Sequence, residues 1–88
     1  MTSLALGLML VTGYVDAGIT ADGTPVAVGV AACPQRMAFG QVLYIEGVGT
    51  VTCRDRTPGN PELIDVWVPT VAEAYAITGQ RQVWEVTE

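Results

Sequence analysis

The sequence predicts a small, mainly β domain that closes into a six-stranded barrel and carries one short helix near its end. Two observations support this prediction. Half of the 88 residues are hydrophobic and only 15 % are charged, and the apolar residues fall into many short runs separated by turns that contain Gly and Pro. A chain of this length has room for one domain, which we assign to residues 1–88, and only a tightly closed architecture buries enough of its surface.

The first predicted strand and its turn occupy the N-terminal part of the chain. Residues 4–15 are apolar and become β-branched towards the end of the run. Residues 17–25 have the composition of a turn, with Asp22-Gly23 as the strongest signal. Residues 26–32 form a second predicted strand, made of small apolar side chains, which stops before Pro34.

In the middle of the chain, the sequence predicts a hairpin, a loop and a central strand. Residues 41–46 and 48–54 are two strand-like runs on either side of Gly47, which is the pattern of a hairpin. Residues 56–62 contain two prolines and must form a loop. Residues 63–68 are almost continuously apolar, which predicts a buried strand.

The C-terminal part predicts the helix, over residues 70–78, and the last strand. Thr70 and Glu73 have the spacing of a capping box, in which each side chain satisfies the other residue's backbone amide. Apolar residues then recur at helical spacing, and Gly79 supplies the stop. Residues 81–87 form the closing strand.

The chain also contains a weak internal echo. A strand, a proline, a connection, a glycine and a second strand occur in that order between residues 28 and 45, and again between residues 64 and 86. Two copies of one unit would form a barrel with pseudo-two-fold symmetry, in which each copy buries the apolar face of the other.

The charge and composition exclude several classes of function. The formal net charge is −5, which argues against nucleic acid and anionic membranes as partners. The chain has no histidine, which excludes Ser-His and Cys-His nucleophile pairs and most zinc sites. We therefore expect no metal and no cofactor, and any acid–base chemistry must use carboxylates, cysteine or tyrosine. The apolar run at residues 4–11 is too short to insert into a membrane as a helix, which needs about 20 residues.

The N-terminus shows no export signal, because residues 1–3 carry no Lys or Arg and no clear cleavage site follows the apolar run. The sequence is then that of a mature domain, of one domain of a longer protein, or of a protein carried out of the cell by a phage particle.

Several segments together resemble the 3D, or three-aspartate, domain. The resemblance is spread over residues 11–86, and no single motif is long. The matching segments are TADGTP (20–25), GVAACP (29–34), FGQVLYI (39–45), TCRD (52–55), IDVW (64–67) and the glycine-containing end of the helix with the strand that follows (74–83).

This resemblance implies a double-psi β-barrel, the fold shared with membrane-bound lytic transglycosylase A and rare lipoprotein A. It implies peptidoglycan glycan strands as the substrate, cleaved without water to a 1,6-anhydro sugar, and a location outside the cell or in the cell wall. On this basis Asp65 is the catalytic acid/base and Asp55 supports it. The residues Thr20, Asp22, Arg54 and Arg56 are the candidates for contact with the substrate.

The residues themselves leave two interpretations of each aspartate. Asp65 lies inside an apolar strand, so it either points outwards as a structural carboxylate or loses solvation, which raises its pKa and suits a general acid. Asp55 ends a strand, where an aspartate often caps a turn. A second carboxylate close to Asp65 would raise the pKa of Asp65 further.

The chain departs from the family pattern at two places. Cys33 stands where the family has its first aspartate, and the loop after Asp55 lacks the family's Lys-Gly pair. If the barrel brings Cys33 and Cys53 together, they form either a disulfide or two buried free thiols, and both alternatives remain open.

Two functional hypotheses follow. The first is an enzyme that cleaves peptidoglycan with Asp65 as acid/base. The second is a non-catalytic module for wall binding or assembly, with a second copy of the chain or phage particle proteins as partners.

Overall fold

The computed structural model describes residues 2–87. The domain prediction also takes in Met1 and Glu88, which lie outside the described residues. The elements in chain order are β1 (Thr2–Tyr14), β2 (Val30–Cys33), β3 (Val42–Ile45), β4 (Gly49–Arg56), β5 (Leu63–Trp67), α1 (Val71–Ile77) and β6 (Gly79–Thr87).

The six strands close into a barrel in the order β1-β5-β2-β4-β3-β6. The pairs β1·β5 and β2·β4 are parallel, and the other four are antiparallel. The predicted fold class, a mainly β, six-stranded closed barrel with one short helix, is therefore confirmed. Closure leaves no free sheet edge, which suits a chain too short to cover an edge with further elements.

The barrel has a two-fold arrangement of its strands. Exchanging β1 with β4, β2 with β5 and β3 with β6 leaves both the strand order and the direction of every pair unchanged. The weak echo between the two halves of the sequence thus corresponds to a real equivalence in topology. Because each half supplies three strands that alternate around the barrel, neither half forms a core without the other.

The core fills the inside of the barrel. Successive side chains of a strand point to opposite faces, so Val51 and Cys53 of β4 and Ile64 and Val66 of β5 are buried. The buried cluster comprises Met9, Val11, Ala31, Cys33, Met37, Leu43, Ile45, Val51, Cys53, Ile64, Val66, Val68 and Val83. Cys33 and Cys53 form a disulfide within this cluster, with their Cα atoms 5.6 Å apart and neither residue exposed.

The helix α1 packs on the end of β1. The Thr70 hydroxyl caps it by accepting a 3.2 Å hydrogen bond from the Glu73 amide, and Thr78 caps its other end. The sequence-predicted boundaries of 70–78 thus include both capping residues. Gly13 of β1 makes the contact close, because a Cβ atom there would lie 2.7 Å from the Ala74 Cα.

Some strand boundaries differ from those that the sequence predicts. The strand expected over residues 26–32 begins only at Val30, because Gly29 has φ +95° and the Val30 amide closes a turn onto the Ala27 carbonyl at 3.1 Å. Val28, which falls within the predicted strand, is 80 % exposed. The strand predicted over residues 48–54 extends further than expected, because β4 continues to Arg56, two residues beyond the predicted end and one residue into the predicted loop.

Candidate functional site

A shift in strand register turns Asp55 towards the outside of the barrel. Ala31 pairs with Cys53, but the next pair along β2 and β4 is Ala32 with Asp55, so Arg54 is an extra residue on β4. Such a bulge reverses the alternation of side chains beyond it. Without it, Asp55 would share the inward orientation of Cys53. With it, the half-buried carboxylate lies on the outer face opposite Ala32.

Asp65 reaches the same outer face from the neighbouring strand. Its neighbours Ile64 and Val66 are buried in the core, so the Asp65 side chain points out of the barrel. Asp65 pairs with Ala32 on one side and with Thr12 on the other. Because Ala32 pairs with both aspartates, their Cα atoms are separated by two strand spacings, about 10 Å.

The surroundings of Asp65 favour its protonated form. Burial has the largest effect and raises the pKa of Asp65, and the negative charges of Asp16 and Asp55 raise it further. The Thr12 hydroxyl, which donates a 2.8 Å hydrogen bond to Oδ1 of Asp65, acts in the opposite direction. A carboxyl group that retains its proton closer to neutral pH can act as a general acid.

Asp55 has backbone donors that Asp65 does not share. Its Oδ1 atom accepts hydrogen bonds from the amides of Ala21, at 3.1 Å, and of Arg56, at 2.9 Å. The Ala21 bond ties the segment between β1 and β2 to β4. Asp55 therefore has the local bonding expected of a turn-capping aspartate and also lies next to Asp65 across Ala32.

Tyr14 and Asp16, for which the sequence predicts no functional role, lie beside the two aspartates. Tyr14 pairs with Trp67 in the ladder that also pairs Thr12 with Asp65, so Thr12 and Tyr14 share a face with Asp65. The sequence indicates that Thr12 and Tyr14, two residues apart on one strand, share a face. That the same face carries Asp65 follows only from the register between β1 and β5. The Trp67 indole donates a 3.0 Å hydrogen bond to the Asp16 carbonyl.

The Tyr14 hydroxyl is buried and has no hydrogen-bond partner among the residues that the structure describes. Burial and then the charges of Asp55, Asp65 and Asp16 raise the pKa of Tyr14 to about 12. The hydroxyl thus keeps its proton throughout the range in which Asp65 titrates.

Thr20 and Asp22 form a closed turn. Asp22 Oδ1 accepts hydrogen bonds of 2.7 Å from the hydroxyls of both Thr20 and Thr24. These bonds, with those from the Thr24 amide and the Arg54 guanidinium, lower the pKa of Asp22 to about 2. Thr20 itself is only 5 % exposed. The structure therefore accounts for both residues as parts of a turn, and their contact with substrate stays a prediction.

Both candidate arginines bind other parts of the chain. Arg54 pairs with Asp22 at 3.3 Å. Arg56 donates to the carbonyls of Pro34 and Met37, and its guanidinium lies 4.0 Å from the centre of the Phe39 ring. These contacts do not hold either guanidinium against Asp55 or Asp65. A role in substrate binding stays a prediction for Arg54 and for Arg56.

Two surface clefts are lined by other residues, including Arg56 and Val66, which directly follow the two aspartates. One, of about 370 Å³, is lined by Arg36, Arg56 and residues of the loops 34–36 and 57–61. The other, of about 300 Å³, lies between α1, Val28 and the β3–β4 turn. Neither cleft is lined by Asp55 or Asp65, so the aspartates lie on the outer wall of the barrel rather than in these clefts.

Residues 2–87 contain no group of three or more His, Cys, Asp or Glu side chains that could hold a metal ion. Within the same range, no helix has the length and apolar character needed to cross a membrane.

Comparison with protein-family models, with curated proteins and with solved structures gives no match for this chain. The fold and the site together define it as a small closed six-stranded β-barrel with two neighbouring aspartates on its outer face.

Proposed function

We propose that this chain is a glycan-cleaving domain of the double-psi β-barrel type, similar to the 3D domain, and that it acts on peptidoglycan with Asp65 as acid/base. The observation that carries the proposal is the pairing of Asp55 and Asp65 with the same residue, Ala32. The register shift on β4 lies where it turns the Asp55 side chain to the outer face that also carries Asp65. Bulges are frequent next to functional sites, where they direct a functional side chain.

The topology supports the barrel type. A chain with two equivalent halves, each contributing one strand to each of two parallel pairs, has the pseudo-two-fold form that the internal echo of the sequence predicts, and we assign that form to the double-psi type that the resemblance implies. The two matched aspartates lie on β4 and β5, the two strands that flank β2.

The chemistry requires one carboxyl group that both donates and accepts a proton. Protonated Asp65 donates its proton to the glycosidic oxygen as the bond between that oxygen and C1 of the sugar breaks. The 6-hydroxyl of the same sugar attacks C1, and its proton passes to the Asp65 carboxylate. A 1,6-anhydro sugar and a free hydroxyl end are formed, no water is consumed, and Asp65 is protonated again.

Asp55 has a supporting role in this scheme. Its negative charge favours the proton on Asp65 before cleavage. In the oxocarbenium-like transition state of glycoside cleavage, the same negative charge stabilises the positive charge that develops on the sugar. The amides of Ala21 and Arg56 hold the carboxylate in place without neutralising its charge.

A non-catalytic module for wall binding or assembly is the second candidate. It is favoured by the position of the aspartates on the outer wall, away from the two clefts, and by aromatic side chains on another face of the barrel. Tyr44 and Trp84 are paired across β3 and β6 with their ring centres 5.6 Å apart, and Tyr44 is 44 % exposed. Exposed aromatic rings of this kind suit sugar stacking or contact with a second protein.

The deciding experiment is incubation with purified sacculi across pH 4 to 8, with 1,6-anhydromuramyl products measured by mass spectrometry. The proposal predicts products from the wild type and a decrease of about 100-fold or more in Asp65→Asn, the usual consequence of removing a general acid. Glu85→Gln is the matched control, because it removes one negative charge on β6, which pairs with neither β5 nor β2.

If the folded wild type forms no anhydro product at any pH, the enzymatic proposal is wrong. Sedimentation with the same sacculi then tests the second candidate. Binding that is retained in Asp65→Asn and lost in Tyr44→Ala would identify a wall-binding module that uses the aromatic face.

A further inference from the structure

The Tyr14 hydroxyl lies near the aspartates and has no part in the proposed chemistry. In the β1·β5 ladder Asp65 pairs with Thr12, and Tyr14 lies two residues further along the same face of β1. Tyr14 is thus the diagonal neighbour of Asp65 across two parallel strands, and it lies close enough for the charges of Asp55 and Asp65 to raise its pKa. The Tyr14 hydroxyl is buried and unpaired within residues 2–87, although buried hydroxyl groups nearly always have a partner.

The two aspartates differ in how many hydrogen bonds they accept. Asp55 accepts two, from the amides of Ala21 and Arg56. Asp65 accepts one from the described part of the chain, from the Thr12 hydroxyl, and that bond goes to Oδ1. An ionised carboxylate that is partly buried needs more than one donor, so Asp65 is the one that lacks a donor.

We propose that Tyr14 is a positioning residue for the acid pair, and that its hydroxyl is the donor that the Asp65 carboxylate takes up when Asp65 loses its proton. A protonated Asp65 has less need of the donor, and the Tyr14 hydroxyl is then unpaired. After Asp65 transfers its proton, a small rotation of either side chain forms the Tyr14–Asp65 bond. The phenol remains protonated throughout, so it stabilises the carboxylate without exchanging a proton with the substrate.

Other ionisable groups around Tyr14 are acidic or engaged elsewhere. Asp16 follows β1, Asp55 lies on β4, and Glu73 is the charged residue of α1, the helix that packs on β1. Strand β2 contributes only the disulfide-bonded Cys33. The arginines of β4 are bound to Asp22 and to loop carbonyls. Tyr14 is thus a neutral hydrogen-bond donor among acidic groups. A cationic donor in its place would neutralise the negative charge of Asp55.

The test is the titration of Asp65 in Tyr14→Phe, followed by NMR of the side-chain carboxyl carbon in the full chain without substrate. Loss of a donor to the ionised form is expected to raise the pKa of Asp65 by about one unit. Tyr44→Phe is the matched control, since it removes the same hydroxyl from an exposed tyrosine on β3 and is expected to leave the Asp65 titration unchanged.

An unchanged Asp65 titration in folded Tyr14→Phe would overturn the proposal, because a merely structural tyrosine affects stability and not this pKa. A downward shift would overturn it as well. If Tyr14→Phe does not fold, the wild type itself supplies the test: the Tyr14 ring carbons next to the hydroxyl must titrate with the pKa of Asp65, and resonances that do not move across that range would contradict the proposal. The kinetic consequence, an upward shift of the alkaline limb of activity, where Asp65 loses its proton, rests on the proposed function. The titration does not, so the two can fail separately.

Discussion

Thr12 and Asp65 lie opposite each other on parallel strands, and the Thr12 hydroxyl donates a 2.8 Å hydrogen bond to the Asp65 carboxylate. This bond joins the first strand to a strand more than fifty residues later in the chain. It also opposes the effects of burial and of the neighbouring carboxylates on Asp65. The pKa of Asp65 is therefore set by a balance between these effects, in which the Thr12 hydroxyl on β1 favours the ionised form.

Replacing Thr12 with Val tests that balance. Valine keeps the shape and the β-branch of threonine but removes the donor, so the pKa of Asp65 is expected to rise by about one unit. Thr12→Ser keeps the hydroxyl and is the matched control, with an expected pKa close to that of the wild type. NMR titration of the Asp65 carboxyl carbon measures both. Equal titrations in the two variants would show that the Thr12 bond does not stabilise the ionised carboxylate.

Asp65 is also expected to reduce the stability of the fold as pH rises. Its folded-state pKa is raised above 3.8, so the folded protein holds this proton more tightly than the unfolded chain does. The resulting stabilisation is complete below pH 3.8 and is lost as pH rises through the folded-state pKa. Asp65→Asn has no proton to lose at this position. It is therefore expected to melt at a higher temperature than the wild type at pH 7, and its melting temperature is expected to decrease less than that of the wild type between pH 4 and 7.

The measurement is thermal unfolding of both proteins at a series of pH values in one buffer ionic strength. If the melting-temperature difference between the wild type and Asp65→Asn stays constant with pH, the raised pKa of Asp65 is contradicted, whatever the size of that difference at pH 7. Glu85→Gln again serves as the control for a changed net charge.

Asp22 is expected to have the opposite effect at acid pH. Its pKa is lowered from 3.8 to about 2, so its contribution to stability is present above pH 3.8 and is lost as pH falls from there to about 2. Thermal unfolding of Asp22→Asn is the comparison. The variant is expected to melt at a lower temperature than the wild type at pH 5, and this difference should decrease towards pH 2. If the difference is the same at pH 2 and pH 5, the Thr20 and Thr24 hydroxyls do not hold the ionised form.

The fold could be predicted from the sequence because short apolar runs, turn signals and one capped helix are local features. The helix 70–78 is the clearest case, since Thr70 and Thr78 are its caps. Strand 26–32 was predicted too long because small apolar residues do not distinguish a strand from an exposed turn. There the positive φ of Gly29 decides the conformation, and composition alone does not reveal it.

The candidate site could be predicted only in part, for a physical reason. Asp65 stands out locally as an acidic residue inside an apolar strand, and Asp55 as one at the end of a strand. Their relation depends on the register of three strands, and on the extra residue Arg54 in one of them. Register is set by long-range packing in the closed barrel, so neither the position of Ala32 between the aspartates nor the approach of Tyr14 follows from spacing along the chain.

The disulfide between Cys33 and Cys53 is expected to contribute strongly to stability. It links residues 20 apart in sequence, inside the barrel and next to the register shift that turns Asp55 outwards. Constraining a loop of this length in the unfolded chain stabilises the fold by about 3 kcal/mol, a large share of what a domain of this size has. The double variant Cys33→Ala, Cys53→Ala is expected to lose about that free energy of unfolding in urea, and more where the truncated side chains leave a cavity.

Reduction of the wild type separates the covalent effect from the cavity. Reduced wild type retains both sulfur atoms in the core, so its loss of unfolding free energy relative to the oxidised protein reports the crosslink alone. Alkylation of the unreduced protein in denaturant, followed by mass spectrometry, is expected to label neither cysteine. Two labels per chain would show free thiols in the barrel. The register shift beside Cys53 would then be maintained by strand pairing and by the amides that hold Asp55, without a covalent crosslink.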